Sequence, residues 1–176
     1  MSIFLDLIQS LFIRGSMVAV ALTLTVMMNN ALYQKSQLNA AKGQVTVVGE
    51  AIYNDVLLAG YNVDRGHVFS HAYAQDFQFK GDIDTNGVTD QVRYYGVYNG
   101  GTGYWSLYRA LNSGAPLLMG KRFSSITFQY YDADGKITAD PNKIIAVRVN
   151  LVKNVEGATE GLMQVVKNFK IYPLNV

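Results

Sequence analysis

Apolar residues dominate positions 3–28, and between Met17 and Met28 no polar face interrupts them. Positions 17–28, MVAVALTLTVMM, are broken only by the hydroxyls of Thr23 and Thr25. A helix on the surface of a globular domain carries a polar side, and this run does not. Wound as a helix, positions 3–28 span ~39 Å, enough to cross a hydrocarbon layer of ~30 Å. Past Asn29-Asn30 the pattern changes. Leu38, Ala41, Val45, Val48, Ile52, Val56 and Ala59 recur at spacings of three and four, with Lys35, Lys42, Glu50 and Asp55 off the stripe. Gly43 and Gly49 lower helix propensity, and the β-branched run at 45–48 has strand character, but the stripe outlasts both. Gly60, followed by Tyr61-Asn62, supplies the stop. The pattern predicts one helix from Ile3 to about Gly60, apolar over 1–33 and amphipathic over 34–60. Its weakest point is Arg14-Gly15-Ser16.

From position 61 to 176 the period shortens. Runs rich in aromatic and β-branched residues at 77–80, 89–98, 104–111, 125–131, 144–155 and 162–172 are separated by turn signals such as Asn86-Gly87, Asn99-Gly100-Gly101 and Asp134-Gly135. Ile126, Phe128 and Tyr130 alternate with Thr127 and Gln129. Val147, Val149 and Leu151 alternate with Arg148 and Asn150. One apolar and one polar face suit an antiparallel sheet, and the helix's stripe is its natural cover. The predicted class is α+β: a long N-terminal helix packed on an antiparallel β-sheet domain.

Charge sharpens the division. Asp6 and Arg14 are the only charged residues in the first 34, although the chain has 15 Lys and Arg and 13 Asp and Glu. A charge in a membrane-spanning segment costs ~2.5–3.5 kcal/mol on insertion scales, so such groups pair or face protein. Eight residues of helix separate these two by ~12 Å, which prevents them from meeting within one chain. They meet between parallel helices offset by that distance. The net charge of +2 gives no basis for nucleic-acid binding. With no Cys, thiol chemistry, disulfides and Cys-ligated zinc are excluded. No Lys or Arg precedes Arg14 and no A-x-A-like site follows the apolar run, so the segment is expected to stay in the mature protein.

Candidate chemistry in the sheet domain is thin. Asp82, Asp84, Asn86 and Asp90 match positions 1, 3, 5 and 9 of a calcium loop, with Gly87 at the sixth, but position 12 is Arg93 instead of a bidentate Glu. A polar hairpin turn with Asn86-Gly87 at its tip explains the same residues. Asp132 and Asp134 make an ordinary tight turn. His67 and His71 lack a third ligand, Gly100-Gly101-Thr102-Gly103 lacks the Lys-Ser/Thr of a phosphate loop, and no serine stands in a G-x-S-x-G context. The chain is expected not to be an enzyme and to need no cofactor. Tyr94-Tyr95, Tyr104-Trp105 and Tyr130-Tyr131 suit either an adhesive surface or alternation between core and sheet face.

The helix end VLLAGYN, the hairpin GDIDTNGVTDQVRYYGV, then WSLYRALN, PLLMGKRFSSITFQYYDADGKIT, NKIIAVRVNLVK and the closing KNFKIYPLNV follow one another in an order that resembles the type IV pilin superfamily. The likeness is to the minor pilins and larger minor pseudopilins, and it covers most of residues 50–176. It implies a subunit held in the inner membrane, N-terminus inside, before assembly into an extracellular filament with copies of itself or other pilin-like subunits. Family members carry a basic leader ending in Gly and a Glu at the fifth mature position; neither feature stands ahead of the apolar run here. If Met1 is removed, Asp6 falls fifth and takes the family Glu's task of neutralising a neighbour's N-terminal ammonium. If Met1 is kept, a neighbour's Arg14 is its partner. The alternative to a filament subunit is a single-span membrane-anchored accessory protein whose exported β domain binds protein or serves adhesion. A calcium-dependent adhesin or carbohydrate-binding module on the anchor is a third reading.

Overall fold

The computed structural model describes residues 2–63, 67–156 and 162–176. A single helix, α1 (Ser2–Leu57), runs unbroken through 56 residues, or ~84 Å at 1.5 Å per residue. The β-branched run at 45–48 is helical, and so is Arg14-Gly15-Ser16. The hydroxyls of Ser16, Thr23 and Thr25 donate back to the carbonyls of Ile13, Ala19 and Ala21, each at 2.9 Å. These three hydroxyls are thereby satisfied inside the helix and carry no unmet donor into a non-aqueous environment.

The amphipathic half is buried as its stripe requires. Ala41, Val45, Val48, Ile52, Val56 and Ala59 are at most 3% exposed, and Leu38 at the edge is half-buried. Asp55, grouped by its polarity with the solvent-facing residues, is instead buried. Gly49 explains itself by contact: a Cβ there would stand 3.3 Å from both Lys167 and Phe169 of the last strand. The helix closes at Leu57, three residues before Gly60, through tight turns from Leu58 N to Asp55 O and Ala59 N to Val56 O. Gly60 adopts φ +81° with the Asn175 carbonyl against it, a place no side chain fits.

Eight antiparallel strands follow: β1 (Phe69–Tyr73), β2 (Asp76–Gly81), β3 (Asp90–Asn99), β4 (Tyr104–Leu111), β5 (Leu117–Phe123), β6 (Ser125–Tyr131), β7 (Ala146–Glu156) and β8 (Leu162–Ile171). They form a five-stranded sheet in the order β1-β2-β3-β4-β5 and a three-stranded sheet in the order β6-β7-β8. β1 and β5 were not expected. β1 buries only Phe69 and carries a register shift between Phe69 and His71. β5 contains Gly120 and a left-handed Arg122 (φ 61°), which erase its alternation. Both sheets and the helix stripe share one core. Phe77 lies at its centre, tilted on Phe128 at 4.5 Å and stacked on Tyr94 at 5.5 Å.

Candidate functional site

The two halves of α1 differ in what covers them. Every residue from Phe4 to Tyr33 is exposed, including Phe4 at 71% and Phe12 at 79%. The helix is long and apolar enough to cross a membrane, and its most apolar window is wholly uncovered. Asp6 and Arg14 both stand on this exposed half. Eight residues apart on one straight helix, they are ~12 Å apart along the axis and ~80° apart around it. Among the described residues no hydrogen bond or ion pair reaches either of them.

The second candidate is the loop between β2 and β3. Carboxylate oxygens of Asp82, Asp84 and Asp90 lie within 4.8 Å of one another, with Asp82 and Asp90 buried and Asp84 exposed. Backbone amides already engage them. Asp82 accepts from Asn86 N at 3.0 Å and Gly87 N at 2.9 Å. Asp90 accepts from Ile83 N at 3.2 Å and from Asn112 Nδ2 at 2.8 Å. These bonds hold Thr85 at φ 56°, an unfavourable angle for a β-branched residue. Asn86 does not join the carboxylates through its oxygen: its Oδ1 accepts from Val88 N at 2.7 Å while its Nδ2 donates to Asp84 at 2.8 Å. Arg93, at the twelfth position, turns away to a two-pronged ion pair with Asp76 at 2.6 and 2.9 Å. Three carboxylates so close would suit a hard cation with oxygen ligands. The amide bonds also let the loop close on its own. Asn62 and Asn112, which brace it from outside, were invisible in the sequence because their partners are 20 or more residues away.

A third polar group was also missed. Asp55 Oδ2 accepts from the Tyr94 hydroxyl at 2.6 Å and from Arg109 Nε at 2.6 Å, tying α1 to β3 and β4. Burial, then the Asp55 carboxylate, pushes the Tyr94 hydroxyl far above the ordinary tyrosine range. Burial alone would lower Arg109, but its bonds to Asp55 and Tyr94 win and hold it above its usual value.

His67 lies in coil before β1 and His71 on the strand, both exposed, so helical spacing does not apply to them. The tyrosine pairs divide by strand alternation: Tyr94 and Tyr130 enter the core, while Tyr95 stacks on Tyr108 at 5.5 Å on the outer face. No protein-family model matches the chain, and no curated protein matches it. The architecture therefore speaks for itself. It is pilin-like. A long helix, apolar and uncovered at one end and packed under an antiparallel sheet domain at the other, is compatible with pilin-like proteins in general.

Proposed function

We propose that the chain is a structural, non-catalytic subunit of a type IV pilus-like or pseudopilus-like filament, assembling through residues 1–33. The observation that carries this is the contrast along one helix: a stripe sealed by its own sheet over 41–59, and an uncovered apolar half over 4–33. The uncovered half is dissolved in the inner membrane before assembly. On extraction it is re-buried against the same segment of other subunits, and the loss of water contact drives packing. The β domains then lie outside, on an extracellular filament.

Asp6 and Arg14 set the register of that packing. A neighbouring parallel helix displaced by ~12 Å brings its Asp6 level with Arg14. Because the two charges point ~80° apart, each helix offers them to different neighbours. Such contacts are head-to-tail and propagate instead of closing a dimer.

A second reading is a single-span membrane-anchored accessory protein. Residues 15–32 are uncharged and, at 18 residues, span ~27 Å, which leaves Asp6 and Arg14 in headgroup water. Electron microscopy of material sheared from the surface of the native cells separates the two. Filaments containing this chain support the first reading; finding it only as membrane-embedded monomers removes it.

A further inference from the structure

The outer face of the three-stranded sheet, turned away from the core, carries an unusual charge pattern. Along β6 and β7, Phe128, Val149 and Leu151 enter the core, so Gln129, Arg148 and Asn150 point outward. The register places Gln129, Arg148 and Lys170 in one row across the sheet, and Thr127, Asn150 and Asn168 in the next. No Asp or Glu occurs in 125–131, 146–152 or 166–172.

Arg148 and Lys170 are thus like charges directly opposite one another, an arrangement that weakens a sheet. Among the described residues neither has a carboxylate partner. Tyrosines hold them instead. Arg148 stands 5.2 Å from the centre of the Tyr131 ring, and Lys170 stands 4.0 Å from that ring and 5.0 Å from Tyr172. A ring fixes a cation without cancelling its charge, so the positive field projects outward. Several of the chain's own acids are already engaged. Asp55 and Asp76 are paired with arginines, Asp82 and Asp90 are buried, and Asp134 and Asp140 lie beside Lys136 and Lys143.

We propose that this face binds a carboxylate-bearing polysaccharide. The two cations meet carboxylates. The amides of Gln129, Asn150 and Asn168 and the Thr127 hydroxyl hydrogen-bond sugar hydroxyls, and Tyr172, 56% exposed, offers a ring for a sugar to lie against. The strip is ~20 Å long and ~10 Å wide, from the strand rise and spacing. A membrane surface fits poorly. β8 runs alongside α1, with Lys167 and Phe169 at Gly49 and Leu174 bonded to Leu57, so the face stands parallel to the spanning helix. A protein partner fits less well too, because protein interfaces have an apolar centre and the centre of this strip is amide and cation.

The test is retention of the detergent-solubilised full chain on immobilised polygalacturonate, with neutral dextran, polyglutamate and duplex DNA in parallel. The proposal expects retention on polygalacturonate at low salt, loss at high salt, and none on dextran. Arg148→Gln with Lys170→Gln should weaken retention at least ~10-fold, and Asn150→Ala with Asn168→Ala severalfold. Arg93→Gln, on the other sheet, should change nothing, and circular dichroism should show all variants folded. Undiminished retention of the Arg148/Lys170 double variant overturns the proposal. So does equal retention on polyglutamate or DNA, which would mean simple charge attraction. No filament is needed for the measurement, so its failure leaves the assembly reading untouched.

Discussion

Asp55 on the helix and Arg109 on β4 are 54 residues apart in the chain, yet Asp55 Oδ2 lies 2.6 Å from Arg109 Nε. The Tyr94 hydroxyl shares the same oxygen. One carboxylate thus fastens the helix to two strands of the larger sheet, at a depth where Asp55 keeps 12% of its side chain exposed and Arg109 20%.

Removing one side of this contact should be costly. Asp55→Ala leaves a guanidinium and a hydroxyl buried without an acceptor, with an expected loss of about 3 kcal/mol, toward the low end of the range for halving a buried pair because Arg109 retains some solvent. Asp55→Leu combined with Arg109→Leu and Tyr94→Phe should lose less than Asp55→Leu alone. Chemical denaturation of the four proteins checks this; a triple variant weaker than the single one would contradict it.

Alkaline pH should loosen the fold. Tyr94 and Tyr130 are both raised, first by burial and then by nearby carboxylates, Asp55 for one and Asp76 for the other. A raised acid is stabilising while it stays protonated. Its contribution is full below the unfolded tyrosine value near ~10 and is lost as pH rises above that toward the folded value. The melting temperature should therefore fall above about pH 10. Replacing both tyrosines with Phe should flatten that fall, whatever it does to stability at neutral pH.

The carboxylate loop should fold without a metal. Asp82 already accepts three hydrogen bonds and Asp90 two, so chelator should leave the melting temperature of the β domain unchanged. Asp82→Ala strands the amide of Gly87, leaves Asn86 N with Asp84 Oδ1 alone, and should cost about 2 kcal/mol. A large melting shift on adding calcium would instead show that the three carboxylates act as a cation site.

Asp6 and Arg14 predict an assembly phenotype. If each charge meets its opposite in a neighbour, Asp6→Ala and Arg14→Ala should each cut filament yield strongly. The double change to Leu should restore more than either single one, since removing a buried pair harms less than halving it. Yields unchanged within a few-fold for both single variants would place the charges in headgroup water.

Much of the architecture was legible because it follows from periodicity. The stripe from Ala41 to Ala59 and the alternation around Phe128 and Val149 are statements about which side chains must leave water, and burial obeyed them. Asp55 was misread for the same reason: polarity marks a residue as solvent-facing unless its partner is known, and Arg109 is 54 positions away. β1 and β5 lay beyond reach because a bulge and a left-handed Arg122 break their period. In the carboxylate loop, the spacing of Asp82, Asp84 and Asp90 foretold their convergence. It could not foretell that Asn86 would spend its oxygen on Val88.

The packing of α1 on β7 and β8 also governs the order of events at the ribosome. The amphipathic half of the helix is made before every strand, and β7 and β8, which cover much of it, come after the other six. At ~5–20 residues per second, roughly 6–23 s separate the synthesis of Leu57 from that of Ile171. For that interval Val45, Val48 and Ile52 lack the part of their cover that β7 and β8 supply, so nascent chains have a built-in window of stickiness that ends only when β8 docks.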